Sequence, residues 1–412
     1  MTNPLVDPYF ILTKIYSDGA LLKQAIAETP VEELHRARTV KIVYGVLEQD
    51  GYLSYCIRTF APKAPRLPVR TVLKIALYMP LFMDKSRYMG TDNAVELLKK
   101  AGKGGQAGFV NAFLRHFDEK KVVLPAGDEG LCIRYGYPLF VVKRLKKQYG
   151  RRAEEIMKAK SAGVCVRFVR GEEKYLANPH IATPFPHAYI FENFQRDEGF
   201  FRGDYTFQSV GSIAIGNVVE PCENFLDACA APGGKSVLIA GKCRRVTAFE
   251  LHAHRKKLIE EYCARMGTEN VFPLQKDSSV FDAAYEEAFD GVLCDVPCSG
   301  MGTVSENPDI KLNRKEEDLD GLKVVQSKIL STCSRYVKKG GYLYYSTCSL
   351  LRAENDGVVG AFLREHPEFS LVAADSPLPH ERTGYGLQFL PDTAYGAGFF
   401  VCKMRKNQND KG

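Results

Sequence analysis

Nowhere in the 412 residues do about 18 uncharged apolar residues run together, so no segment has the make-up of a membrane-spanning helix. The N-terminus, MTNPLVDPYF, also lacks the basic stretch and following apolar run of a secretory leader. Both absences lead to the expectation of a cytoplasmic protein. No C-x-x-C pair occurs among the twelve cysteines. The spacing Cys294-x-x-x-Cys298 has no histidine or second cysteine pair to complete a zinc site. Thiols scattered through a long chain without a leader are expected to stay reduced, and no metal is expected. Internal repeats and low-complexity segments are missing as well.

What is present is ordinary for a folded protein: 45% hydrophobic and 25% charged residues, which disfavours disorder and fibrous repeats. The net charge of +7 permits a polyanionic partner without demanding one. The length suggests two or three domains, each large enough for its own core.

The first part of the chain reads as helices. Val40, Val43, Tyr44 and Leu47 fall at i, i+3, i+4, i+7, as do Val72, Ile75, Ala76 and Met79, giving one apolar stripe per helix. Between them APKAPRLPVR, rich in proline and basic residues, is expected to be a loop. Arg36-Ala37-Arg38, Val72 to Tyr78, Asn93-Ala94-Val95-Glu96-Leu97 and above all Val110-Asn111-Ala112-Phe113-Leu114-Arg115 resemble the NusB family of small helical RNA-binding proteins. The apolar positions would be core helices in any case; the resemblance adds an expected RNA-contacting role.

Beyond these helices a helical stretch is expected around Tyr137 to Lys158 and a short strand at Val164 to Val169, while NPHIATPFPHAYIFENF shows no period. From about residue 206 the texture alternates. Apolar runs at Asn224–Ala230, Arg245–Leu251, Asn270–Leu274, Gly291–Val296 and Gly341–Ser346 are separated by helical stretches such as 254–265 and 316–338. That is the signature of a doubly wound parallel sheet. Two last strands, near Leu387–Leu390 and Phe399–Met404, are expected to pair antiparallel.

The turn after the first of these strands, Asp227-Ala228-Cys229-Ala230-Ala231-Pro232-Gly233-Gly234-Lys235-Ser236, has small residues that let a ligand approach the backbone, followed by a helix N-terminus. A dinucleotide fingerprint is absent, and a P-loop would need glycine where Ala230 stands, so Gly234-Lys235-Ser236 is a near miss that leaves an ATP site as the rival reading. Acids at successive strand ends argue for a nucleoside instead: Asp227, then Glu250 placed to accept ribose hydroxyls, Asp277 to face an adenine amino group, and Asp295. Together they resemble the S-adenosylmethionine site of class I methyltransferases.

Two cysteines stand at the ligand edge of the expected sheet, in Asp295-Val296-Pro297-Cys298-Ser299-Gly300 and in Ser346-Thr347-Cys348-Ser349. Cytosine C5 is a poor nucleophile, and methylating it takes a thiolate that adds at C6 and is later expelled. Position and chemistry do not rank the two thiols. Other cysteines, such as Cys56, Cys165 and Cys402, are expected to be small hydrophobes.

Asp227 to Ser236, Asp295 to Gly302, Asn307-Pro308-Asp309-Ile310-Lys311, Tyr345 to Ser349 and Gly398-Phe399-Phe400 resemble the RsmB/Sun and NSUN family of RNA cytosine-5 methyltransferases over nearly the whole chain. The resemblance implies an α/β fold: a class I, Rossmann-like methyltransferase domain at 206–406, an all-α NusB-like domain at 1–125, a small connecting subdomain at 126–205 and a polar tail at 407–412. It implies Cys348 as the attacking nucleophile and Cys298 as the thiol needed for release. Cys229, Ala230, Ala231, Pro232, Gly233, Gly234, Lys235, Glu250, Asp277 and Asp295 would bind S-adenosylmethionine. The implied substrate is RNA, small-subunit (16S) ribosomal RNA in particular, at a hairpin loop or single-stranded region, with neither DNA nor membrane as partner. Three departures touch RNA or loop contacts: Ser209 after Gln208, Phe168-Val169 after Arg167, and Glu306 where relatives are commonly basic.

Overall fold

The computed structural model describes residues 3–83 and 87–408, and the polar tail expected at 407–412 lies, from 409 on, outside the described residues. The chain divides into two compact units, one of residues 1–157 with 306–314, the other of 158–305 with 315–412.

The first unit is built from helices α1 (Val6–Asp18), α2 (Leu22–Glu28), α3 (Glu33–Glu48), α4 (Asp50–Phe60), α5 (Leu67–Phe82), α6 (Arg87–Lys100), α7 (Ala107–His116), α8 (Gly127–Tyr135), α9 (Leu139–Tyr149) and α10 (Ala153–Lys158). The stripe Val72, Ile75, Ala76 and Met79 is buried, at most 3% exposed, against Ile42, Val43, Val46 and Leu47 of α3. A side chain at Gly45 would meet the Tyr78 ring at about 2 Å, so glycine is what lets α3 and α5 approach. The expected loop APKAPRLPVR is shorter than its composition suggests: α5 begins at Leu67 and takes Pro68 into its first turn, where a missing N–H costs nothing.

The segment 306–314 belongs to the first, helical unit. Asp309 accepts a hydrogen bond from the Leu22 N–H (3.0 Å) at the start of α2. The Lys311 ammonium donates to the carbonyls of Glu48 (3.1 Å) and Tyr135 (2.9 Å), the last residues of α3 and α8. An acid at a helix N-terminus and a cation at two C-termini each match the helix dipole. The expected connecting subdomain is likewise divided, its helical part to residue 157 lying in the first unit.

The second unit holds two sheets. A small antiparallel sheet has strands β1 (Val164–Phe168), β2 (His180–Ala182), β3 (Ala188–Phe191) and β4 (Tyr205–Phe207) in the order β2-β3-β1-β4. Its core is aromatic: Phe168, Tyr175, Phe191 and Tyr205. Strands β2 and β3 fall in the stretch where no period was legible. β2 is exposed throughout and paired on one side only, so its residues are not selected by burial.

The large sheet comprises β5 (Cys222–Asp227), β6 (Cys243–Glu250), β7 (Val271–Gln275), β8 (Phe289–Asp295), β9 (Val337–Thr347), β10 (Phe369–Val372), β11 (Glu381–Arg382), β12 (Leu387–Phe389) and β13 (Phe399–Lys406). Its order is β11-β12-β13-β9-β8-β5-β6-β7, with β10 also on β13. Strands β5 to β9 pair in parallel and β13 runs antiparallel to β9. Alternate residues face opposite sides. Phe225, Leu293 and Tyr344 pack under the helices Val210–Val218 and Gly234–Ala240, while Leu226, Val292 and Tyr345 pack under Asp318–Ser334 and Asp356–Glu365. Both faces are covered, as a doubly wound sheet requires. The strand order reverses between β5 and β8, which opens a crevice at their C-terminal ends.

Candidate active site

A cleft of about 270 Å³ occupies that crevice. Its walls include Asp227 from the end of β5, the turn residues Cys229, Ala230, Ala231, Pro232, Gly234 and Lys235, Asp295 from the end of β8, and Cys348 just beyond β9. Phe207, Gln208 and Phe399 complete it. Gly233 is at φ 107°, a left-handed conformation that suits glycine at the helix start; it turns the backbone rather than lining the cleft.

Four sequence-predicted residues behave differently from one another. Asp295 is fixed from two sides, by the Lys235 ammonium at 2.7 Å and by the Ser346 hydroxyl at 2.6 Å. Glu250 ends β6 and is 3% exposed, accepting from the His252 N–H (3.1 Å) with Arg255 at 3.4 Å. It lies outside the residues lining this cleft. Asp277 does not end the third strand, which stops at Gln275; it stands two residues on and accepts from the Ser279 N–H (2.8 Å) in a local turn. It too lies outside the cleft lining. Cys298 is 8% exposed and sits behind Cys348, their sulfurs 3.2 Å apart.

The electrostatics of the cleft follow from burial and from one cation. Burial, with Asp295 nearby, raises the Asp227 carboxyl to about 6 against the opposing Ser236 hydrogen bond. Burial works against the Lys235 charge, but the Asp295 carboxylate outweighs it and holds the ammonium above its usual range. The hydrogen bond with Cys298 pulls the Cys348 thiol below its ordinary value, overcoming burial, and Lys235 pulls the same way. The same contact, together with burial, pushes the Cys298 thiol up. Of the two, Cys348 is the one on the cleft wall.

Three loops are stitched together here by backbone. The Gly302 N–H donates to the Cys348 carbonyl (2.8 Å) and the Gly398 N–H to the Gly302 carbonyl (2.7 Å). A side chain at Gly302 would lie 1.9 Å from the Gly398 oxygen, so the spacing of these motifs encodes contact.

The departures find structural uses. Ser209 caps the helix Val210–Val218, its hydroxyl accepting from the Ser212 N–H (3.4 Å). Gln208 lines the cleft, donates to the Gly234 carbonyl (3.1 Å) and accepts from Arg167 (2.8 Å). Val169 is exposed, and Glu306 is half-buried in the helical unit. Sequence reasoning missed Phe207 and Thr303 as cleft residues, since neither sits at a large-sheet strand end.

Among the described residues no cluster of histidine, cysteine or acid side chains could hold a metal, and no helix is long and apolar enough to cross a membrane. The cleft suits a nucleoside cofactor. Its backbone-lined turn leaves room for one, and Asp227 presents a buried carboxylate oxygen, Oδ1, that has no close hydrogen-bond partner.

Comparison with known proteins agrees with this arrangement. Residues 218–405 match the model of the 16S rRNA methyltransferase RsmB/F family, and residues 11–119 match the NusB family. The chain is 32% identical to a Bacillus subtilis (strain 168) protein named probable ribosomal RNA small subunit methyltransferase B, over 94% of both chains. It is 30% identical to ribosomal RNA small subunit methyltransferase B of Sodalis glossinidius, over 96% of this chain and 95% of that one. The crystal structure of PH0851 shares the fold, with a TM-score of 0.84, 24% identity and 98% of each chain covered. With an α/β methyltransferase fold, a NusB-like helical region and similarity over its length, the chain belongs to the RsmB/F family of rRNA methyltransferases.

Proposed function

We propose that the protein methylates C5 of a cytosine in small-subunit ribosomal RNA through a covalent bond between Cys348 and C6 of the base. The observation that carries this reading is the thiol pair: Cys348 on the cleft wall with Cys298 behind it, their sulfurs 3.2 Å apart. The methyl donor is S-adenosylmethionine, which supplies an electrophilic methyl group to C5 and leaves as a neutral thioether. Residues 229–235 would hold it through their backbone and the helix N-terminus, Asp227 through its unpartnered oxygen, Glu250 at the ribose and Asp277 at the adenine edge.

The chain's own groups carry the remaining work. The Cys348 thiolate adds to C6, and the electron pair of the C5–C6 double bond becomes available at C5. Lys235, charged and paired with Asp295, stabilises the thiolate before attack and neutralises the acid beside the base. Once Cys348 is a thioether it no longer accepts from Cys298 or repels a second negative charge. Cys298 then loses its proton to water and, as a thiolate, takes the C5 proton. The C5–H electron pair re-forms the C5–C6 double bond, the C6–S bond breaks, and Cys348 leaves as a thiolate.

A cytosine must leave its stack to reach a thiol, at least cost from a single-stranded or hairpin loop. The NusB-like helical unit supplies an RNA-binding partner to the catalytic unit in this reading.

Substitution tests it. Cys348→Ala should abolish methyl transfer, and Cys298→Ala should accumulate a covalent protein–RNA species. Transfer undiminished without Cys348 would overturn the mechanism. Bisulfite mapping of RNA from a strain lacking the gene should show one cytosine of small-subunit ribosomal RNA losing its methyl group; loss from tRNA instead would overturn the substrate.

A further inference from the structure

Both candidate thiols sit on loops, and a loop needs something to hold its geometry to a fraction of an ångström. What is held are the residues on either side of each. Ser299, after Cys298, gives its N–H (2.8 Å) and its hydroxyl (2.6 Å) to the Glu354 carboxylate. Pro297, before Cys298, accepts at its carbonyl from Gln326 (3.0 Å), which also donates to Glu354 (3.0 Å). Ser349, after Cys348, gives its hydroxyl to the same carboxylate (2.5 Å). Thr347, before Cys348, donates to Asn355 (2.6 Å), the next residue in the chain after Glu354.

Glu354 is fully buried and accepts four hydrogen bonds, from Ser299 twice, Ser349 and Gln326. A buried carboxylate is expensive, and an apolar residue of similar size would fill the space without that cost. Three of its four bonds come from residues directly adjoining a thiol, and the fourth from the side chain that holds Pro297.

We propose that Glu354 is a positioning residue for methyl transfer, one buried carboxylate that fastens the Cys298 loop to the Cys348 loop and thereby sets the separation of the two sulfurs. The proposal rests on the two-thiol reading above. Glu354 touches neither thiol nor substrate; it acts through Ser299, Ser349 and Gln326.

The pattern of donors makes a discriminating test. Ser299 N–H and Gln326 Nε2 can only donate, and they converge on one carboxylate oxygen, Oε1. The two serine hydroxyls converge on the other, Oε2, and a hydroxyl can turn round to accept. Glu354→Gln therefore keeps every bond, with its amide nitrogen facing the serines, whereas Glu354→Ala loses them all. In the full-length protein, with unmodified small-subunit ribosomal RNA and S-adenosylmethionine, Glu354→Ala should lower kcat by about 100-fold while both KM values stay within about threefold. It should also lengthen the lifetime of the Cys348–RNA species. Glu354→Gln should recover kcat to within about threefold of the parent.

A folded Glu354→Ala protein with parental kcat would overturn the proposal. So would a Glu354→Gln protein as slow as the alanine variant, or a loss of kcat accompanied by an equal loss of cofactor affinity. If Glu354→Ala does not fold, the double variant Ser299→Ala, Ser349→Ala removes the hydroxyl ties and leaves the carboxylate in place, and the same fall in kcat at constant KM is expected. Failure of the two-thiol reading would appear separately, as absence of a trapped species in Cys298→Ala with Glu354 intact.

Discussion

Replacing Asp227 by asparagine should make the ligand-free protein more stable and its cofactor binding weaker. Asp227 is 1% exposed, and burial, with Asp295 nearby, raises its carboxyl from 3.8 to about 6. A group whose folded pKa lies above its unfolded value favours the fold while protonated. That contribution is complete below about pH 4 and lost as the pH rises through about 6. Above that range the ionised carboxylate costs the fold about 3 kcal/mol, two pKa steps of roughly 1.4 kcal/mol each. Asparagine keeps an acceptor for the Ser236 hydroxyl, now 2.7 Å from the carboxylate, and carries no charge to desolvate. The ligand-free variant should therefore melt roughly 5–10 °C higher at pH 8, and the stabilisation should be about half as large at pH 5. Cofactor binding should move the other way. Losing a charge-assisted hydrogen bond at Oδ1 costs about 1.5–3 kcal/mol, roughly a 10- to 100-fold rise in Kd for S-adenosylmethionine. Scanning calorimetry at the two pH values and titration calorimetry with the cofactor read both effects. A variant less stable than the parent at pH 8, or one that binds S-adenosylmethionine with undiminished affinity, would refute the reasoning.

Two further outcomes follow from charges placed elsewhere. Lys235→Met removes a cation that helps the Cys298 hydrogen bond lower the Cys348 thiol and that neutralises Asp295, so the acidic limb of the pH–kcat/KM profile should move to higher pH; an unmoved limb would mean that Lys235 does not tune the thiol. Lys311→Met leaves the Glu48 and Tyr135 carbonyls without their ammonium donor and should destabilise the helical unit by about 2–3 kcal/mol in urea unfolding. An unchanged midpoint would show that the segment 306–314 adds nothing to that unit.

The central strands of the parallel sheet were legible because both their faces are covered. Phe225-Leu226, Val292-Leu293 and Leu343-Tyr344 read as continuous apolar runs, and each run ends near a residue that faces the crevice. Three short strands were not legible: β2 is exposed along its length, β10 carries two exposed residues and β11 has only two residues in all. The cleft loops were legible at Cys229 to Lys235, Asp295 and Cys348 because reactive and small residues cluster at strand ends. Reach was harder to read than position. Glu250 and Asp277 occur where a nucleoside acid should, yet one faces His252 and Arg255 and the other closes a turn with Ser279. Two features depended on contacts distant in sequence and left no local signal. Asp309 and Lys311 bond to residues 287 and 263 positions away, and Glu354 joins loops 50 residues apart. A buried acid and a surface acid look the same in a sequence until the donors around it are known.

The central claim, that Cys348 attacks and Cys298 releases, is tested most directly by locating the covalent bond. The Cys298→Ala protein, incubated with unmodified small-subunit ribosomal RNA and S-adenosylmethionine and digested with trypsin and nuclease, should yield residues 340–352, GGYLYYSTCSLLR, carrying a methylated cytidine nucleotide on Cys348. Absence of any such peptide, or a nucleotide bound instead to Cys298 in a Cys348→Ala protein that still methylates RNA, would contradict the account.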